Sequence, residues 1–121
     1  MIISKNILIA DDDPGMLRLY TRMFSGTGYS ITLAASVVDA RYFLEANHYD
    51  LLVTDLMFPD GLGTELVKLF RKRRLGAQSL LVTGSCPSET ELAEAGLSEC
   101  FDKPLKIDPF MSAVSKALGK D

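Results

Sequence analysis

Short runs of β-branched and aliphatic residues alternate with helix-period stretches from one end of this chain to the other, and few architectures accept that pattern. The strand-like runs fall at 7–10, 30–34, 51–54, 79–83 and 99–102. Helical periodicity fills the intervals at 14–25, 37–47, 63–74, 88–95 and 109–118. In the first interval Met16, Leu17, Leu19, Tyr20, Met23 and Phe24 recur at helical spacing, and in the last Phe110, Met111, Val114, Ala117 and Leu118 do the same. Runs such as Ile7-Leu8-Ile9-Ala10 and Leu51-Leu52-Val53-Thr54 are apolar without alternation, as strands buried on both faces must be. Strands that take turns with helices form βαβ units with right-handed crossovers. The pattern predicts an α/β fold, a (βα)5 doubly wound parallel sheet in one domain spanning 1–121.

Local signals agree with those elements. Asp13-Pro14 and Asp108-Pro109 each read as an acidic N-cap followed by proline at the first helical position. Ser88-x-x-Glu91 reads as a capping box, and Gly26 and Gly28 punctuate the turn into the second strand. The 121 residues, 47% of them hydrophobic, suffice for one buried core. A net charge of −3 argues against nucleic acid as a direct partner. No apolar run approaches a membrane span, and the start Met1-Ile2-Ile3-Ser4-Lys5-Asn6 is too short for a signal peptide. Cys86 and Cys100 form no C-x-x-C pair and lie near no histidine pair, which excludes a zinc site. With no secretion signal, a cytoplasmic protein with reduced thiols and no disulfide is expected.

Chemistry is concentrated where the strands end. The first run stops abruptly in Asp11-Asp12-Asp13 and the third in Asp55. In an open parallel sheet, ligands bind beyond the carboxyl ends of the strands. Carboxylates gathered there repel one another and call for a cation, and an all-oxygen ligand set selects a hard one, Mg2+. A carboxylate beside bound Mg2+ is suited to accept a phosphoryl group as a covalent nucleophile. Asp13 is explained instead as the N-cap of the first helix.

The segments ILIADDDP, YDLLVTDLMFPDGLG, LLVTG and CFDKPL end four of the five strands, in that order. Over nearly its whole length the chain resembles the receiver domain of two-component response regulators. The resemblance implies a flavodoxin-like sheet in the order 2-1-3-4-5, with strands one and three adjacent at the switch point. It implies Asp55 as the phosphorylated carboxylate, and Asp11 and Asp12 as Mg2+ ligands together with Asp55. It also implies the backbone carbonyl of Met57 as a further ligand. Thr83 would offer its hydroxyl to the phosphoryl group, and Lys103 would pair first with Asp55 and then with that group. Lys103-Pro104 resembles the family's cis peptide.

The partners implied are a sensor histidine kinase or histidine phosphotransfer protein upstream and an effector or output domain downstream. The resemblance also allows a phosphorylation-dependent homodimer. Such a domain is not an enzyme in the usual sense, since it catalyses only its own phosphorylation and dephosphorylation. The residues after Leu118 read as holding no output segment, so either a stand-alone regulator or the receiver portion of a longer protein is expected. His48, the only histidine, reads as a surface residue, and Arg71-Lys72-Arg73-Arg74 as a solvated run at a helix end, where cations meet the negative end of the dipole.

Two positions depart from the family pattern. Cys100 stands where an aromatic switch residue is usual, and Phe101 cannot substitute because successive strand side chains face opposite ways. Gly84 replaces a frequent alanine, while Met57 and Ser85 occupy the variable positions that tune phosphate lifetime. Two rival readings remain open at this point. One is a pseudo-receiver that docks partners without phosphorylation. The other is a small Mg2+-dependent phosphohydrolase, for which Asp11-x-Asp13 is a superficial match.

Overall fold

A computed structural model of the chain describes residues 4–97 and 99–119. Met1-Ile2-Ile3, weighed above as part of a possible leader, lies outside the described residues. The elements run β1 (Asn6–Ala10), α1 (Pro14–Phe24), β2 (Ser30–Ala34), α2 (Val37–Ala46), β3 (Leu51–Thr54), β4 (Met57–Phe58) and β5 (Gly61–Leu62). They continue with α3 (Gly63–Arg73), β6 (Gln78–Thr83), α4 (Glu89–Ala95), β7 (Glu99–Asp102) and α5 (Ile107–Ala117). Five strands form one parallel sheet in the order β2-β1-β3-β6-β7, which is the expected 2-1-3-4-5 arrangement.

Both faces of the sheet are covered, so consecutive strand residues are all buried but serve different cores. Leu8, Leu52 and Leu81 point to one side and meet Val37, Ala40 and Leu44 of α2 and Leu66, Val67 and Phe70 of α3. Ile7, Ile9, Leu51, Val53, Leu80 and Val82 point to the other and meet Met16, Tyr20 and Phe24 of α1 and Phe110 and Val114 of α5. Each such side chain contributes roughly 1.5–3 kcal/mol by leaving water. No helix among the described residues is long and apolar enough to cross a membrane.

The helix starts bear out the capping signals in two cases. Asp13 accepts the Gly15 amide at 2.9 Å with Pro14 in the first turn of α1. In α4 Ser88 Oγ accepts the Glu91 amide at 3.2 Å, while the Glu91 carboxylate accepts the Ser88 amide at 3.1 Å. The last helix differs from expectation. Its N-cap is Lys106, so Asp108 and Pro109 lie inside the first turn instead of flanking it. The first-turn amides of a helix have no intrahelical partner, so proline is tolerated at any of these positions.

Two further features depart from the reading of the sequence. The segment after Asp55 forms an antiparallel hairpin, Met57 opposite Leu62 and Phe58 opposite Gly61. From its Pro59-Asp60 turn, Asp60 accepts the amides of Val37 and Val38 at 3.0 Å each. These are donors at the start of α2 that Ser36, bonded to the Asp39 amide, leaves unsatisfied.

The second departure is a disulfide between Cys86 and Cys100, which corrects the expectation of reduced, unpaired thiols. Pairing of β6 with β7 sets Cys100 beside Leu81, on the α3 side of the sheet. The loop after Thr83 folds back over that side, bringing the two Cα atoms to 6.0 Å, within bridging range. Spacing along the chain gives no hint of that loop's path.

Candidate phospho-acceptor site

Strand register builds the site. Ala10 pairs with Thr54 across the β1–β3 junction, so the next residue of each strand, Asp11 and Asp55, emerges beside the other. Backbone bonds extend the pairing one step beyond the strands. The Asp55 amide donates to the Ala10 carbonyl at 3.0 Å, the Asp11 amide to Ala34 at 3.0 Å, and the Lys103 amide to Thr83 at 2.8 Å. The Lys103–Pro104 peptide is cis, as the resemblance implied.

Lys103 ties the acidic residues together. Its Nζ lies 2.8 Å from Asp55 Oδ2, as a hydrogen bond, and 3.0 Å from Asp11 Oδ2. The second contact is an ion pair without good hydrogen-bond alignment, so Asp11 Oδ2 remains buried with no hydrogen-bond donor of its own. The other oxygens are held by backbone. Asp11 Oδ1 accepts the Asp13 amide at 2.9 Å, and Asp55 Oδ1 accepts the Leu56 amide at 2.6 Å. Asp12 is exposed at the rim, and one carboxylate oxygen each from Asp11, Asp12 and Asp55 fall within 4.8 Å of one another.

Burial sets the electrostatics. Asp11 is buried, and desolvation raises its pKa against the opposing pull of the Asp13 amide and Lys103. For Lys103, burial works to lower the pKa, but the hydrogen bond to Asp55 and the negative charges of Asp11 and Asp55 outweigh it and the net shift is upward. Below the site, burial raises the Tyr20 phenol, and the charges of Asp11 and Asp55 push it the same way.

The other predicted residues take defined places. Thr83 is buried at the end of β6, next to the β7 end that carries Lys103. Met57 opens the hairpin two residues beyond Asp55 and is 68% exposed. Gly84 and Ser85 are exposed in the following loop. Cys100 packs toward the α3 side and Phe101 toward Phe110 on the opposite side, at a ring-centroid distance of 5.5 Å. Phe101 therefore does not occupy the Cys100 position.

Two residues that the sequence reading passed over hold Asp55 in place. Thr54 donates its buried hydroxyl to the Asp55 carbonyl at 2.8 Å. Gly63, the first residue of α3, packs so closely that a Cβ would overlap that same carbonyl oxygen. The second glycine of the DGLG string was the available signal, since glycine commonly marks close backbone approach. His48 and the basic run lie away from Asp55, at the other end of the sheet. There Arg74 Nη1 reaches Asp50 at 2.8 Å, the Tyr49 carbonyl at 2.7 Å and His48 at 3.1 Å. Arg74 is thus an internal tie, while Arg73 reaches the Glu45 carbonyl at 3.2 Å.

A family model described as the response regulator receiver domain matches residues 7–115. The transcriptional regulatory protein GlrR of Escherichia coli K12 is 29% identical over 115 residues, covering 93% of this chain and 26% of that protein. The sensor protein EvgS of the same strain is 31% identical over 113 residues, covering 92% of this chain and 9% of that protein. The chain thus spans about a quarter or less of these curated relatives. Among solved structures, a response regulator receiver domain protein (CheY-like) from Methanospirillum hungatei JF-1 superposes with a TM-score of 0.88 at 28% identity, covering 97% of this chain and 95% of that one. TrrA of Thermotoga maritima, solved in complex with Mg2+-BeF, gives a TM-score of 0.84 at 27% identity, covering 94% and 99%.

Proposed function

The chain belongs to the response regulator receiver domain family of two-component systems, and on that premise we propose that it accepts a phosphoryl group on Asp55. The donor would be the phosphohistidine of a sensor histidine kinase or histidine phosphotransfer protein in the cytoplasm. An Asp55 carboxylate oxygen attacks phosphorus, the O–P bond forms as the N–P bond breaks, and the departing imidazole takes up a proton. Loss of the group by hydrolysis returns Asp55 to its starting state, so the domain catalyses only its own modification.

The observation that carries this reading is Lys103 Nζ bridging Asp55 and Asp11 at 2.8 and 3.0 Å, at the register-aligned ends of β1 and β3. A cation already seated against the acceptor oxygen can pass to the phosphoryl oxygens as charge develops there. Thr83, on the adjacent strand end, supplies a hydroxyl for the same group.

The residues present also fit a hard divalent cation. Three carboxylate oxygens converge within 4.8 Å, all donors are oxygen, and buried Asp11 Oδ2 lacks a hydrogen-bond donor. Asp11, Asp12, Asp55 and the Met57 carbonyl would hold Mg2+. When bound, the ion supplies charge neutralisation for the phosphoryl oxygens. The Mg2+-BeF complex of TrrA supports this assignment.

Incubation of the chain with Mg2+ and acetyl phosphate, followed by intact-mass analysis, tests the proposal. The expected result is one phosphoryl group per chain, not gained when Mg2+ is chelated beforehand and absent from Asp55→Asn. Equal labelling of Asp55→Asn would overturn the assignment.

A further inference from the structure

The disulfide occupies a position that matters to the site. Cys86 lies three residues after Thr83, in the loop between β6 and α4, and Cys100 lies three residues before Lys103, in β7. The bond therefore joins the loop that follows the Thr83 hydroxyl to the strand that delivers the Lys103 ammonium.

Little else secures that loop and the start of α4. The helix has seven residues, none of them buried. Its apolar grip lies toward its far end, through half-buried Leu92 and Ala95 and through buried Leu97 just beyond. At the near end, residues 84–88 include Gly84, whose surroundings are open. The near end is held by the bond to Cys100 and by the Cys86 amide, which donates to the Asp102 carboxylate at 3.1 Å. A segment with so few buried contacts opens locally at low cost, and a covalent tie dominates its freedom.

We propose that Cys86 and Cys100 form a redox modification site, a dithiol–disulfide clamp whose closure restrains the loop beside Thr83 and slows phosphoryl acceptance at Asp55. The regulatory half of this inference rests on Asp55 being the acceptor. The oxidant is a low-molecular-weight disulfide such as oxidised glutathione. One cysteine thiolate attacks it, its S–S bond breaks, and the first small thiolate leaves a mixed disulfide on the protein. The second cysteine thiolate then attacks the protein sulfur and expels the second small thiolate. Two protein protons are lost, and two electrons pass to the small disulfide; excess small thiol reverses both steps.

Geometry allows the exchange. Both cysteines are only half-buried, so an incoming sulfur has access. In a compartment kept reducing, a bond of this kind is transient and signalling in character. The reduced form frees residues 84–88 to yield to the donor and to let the Thr83 hydroxyl turn toward the phosphoryl oxygen.

The test equilibrates the whole chain in glutathione buffers of graded ratio. Thiol state is read by alkylation and mass, loop freedom by hydrogen exchange over 84–95, and phosphoryl gain by mass with acetyl phosphate and Mg2+. The expected result is a bond that forms and opens reversibly, with faster exchange over 84–95 in the reduced form. Phosphoryl gain in that form should be about fivefold or more faster, the scale of ordinary coupling between sites. The double variant Cys86→Ser/Cys100→Ser should match reduced wild type and ignore the glutathione ratio, whereas each single variant should stop at the mixed disulfide. A bond that fails to form, or fails to open in excess glutathione, overturns the site. Unchanged exchange overturns the clamp, and equal phosphoryl gain in both states overturns the regulation. Absence of any adduct in both states overturns the acceptor reading itself, and the regulation with it.

Discussion

Replacing Lys103 by methionine removes the charge while keeping an unbranched side chain of similar length, so it isolates the electrostatics of the site. Nζ stands 2.8 Å from Asp55 Oδ2 and 3.0 Å from Asp11 Oδ2, and the side chains of Lys103, Asp55 and Asp11 are 23%, 11% and 1% exposed. At an effective dielectric constant of about 20, each contact at this range is worth roughly 5–6 kcal/mol before desolvation. The two carboxylates, within 4.8 Å of each other, repel by at least about 3.5 kcal/mol on the same scale. Desolvation of the three groups offsets most of the gross gain. What remains after deletion is an uncompensated pair of buried carboxylates, and breaking such pairs costs about 3–5 kcal/mol. The partial exposure of Lys103 places the expected loss near the lower end, about 3 kcal/mol.

Urea unfolding followed by far-ultraviolet circular dichroism measures that loss, and suits a chain with no tryptophan. The deficit should also shrink in acid. Burial raises the Asp11 pKa in the fold, so ionised Asp11 costs stability above the unfolded carboxylate range, and protonation as pH falls removes that cost. A variant within about 0.5 kcal/mol of wild type at pH 7, the range of inert surface substitutions, would refute the reasoning.

Three further perturbations probe other parts of the account. Gly63→Ala should cost about 1–3 kcal/mol in urea unfolding and slow phosphoryl gain, because the new Cβ would overlap the Asp55 carbonyl oxygen and lie 2.8 Å from Thr54 Oγ1. Asp50→Asn should flatten stability against pH in acid. Burial works to raise the Asp50 pKa, but the Asn6 amide and Arg74 hold it below its ordinary value. Its contribution is therefore present above the unfolded pKa and lost as pH falls through the folded one, a slope the variant should lack. Met57→Asn should shorten the life of phospho-Asp55, measured as decay of the adduct mass at fixed Mg2+. An exposed amide there can orient water, which a thioether accepts only weakly; equal or slower decay counts against that argument.

The sheet was legible because its signals are redundant. Five strand-like runs alternating with helix-period stretches define the strands, their order follows from the family resemblance, and Asp11, Asp55, Thr83 and Lys103 come at four of the strand ends. What escaped the sequence depends on contacts between distant segments. Asp60 caps α2 from the hairpin turn, a relation between residues 22 and 23 positions apart that no local pattern encodes. The Cys86–Cys100 bond depends on how one loop folds over β7, and the habit of reading cysteines by compartment pointed the wrong way. At α5 the Asp108-Pro109 pair suggests proline as the first helical residue, whereas every first-turn position accepts it, and the helix begins earlier, at Ile107. Gly63 was visible as a letter but not as a contact. Its role exists only once α3 is docked against Asp55.

The central claim is that Asp55 itself carries the phosphoryl group. Hydride reduction of an acyl phosphate yields an alcohol, so borohydride treatment of the phosphorylated chain converts the acceptor aspartate into homoserine. Peptide mapping by mass spectrometry then locates it. The account predicts homoserine at position 55 alone, formed only when phosphodonor and Mg2+ are both present. Homoserine at Asp11, Asp12 or any other carboxylate, with position 55 unconverted, would contradict it.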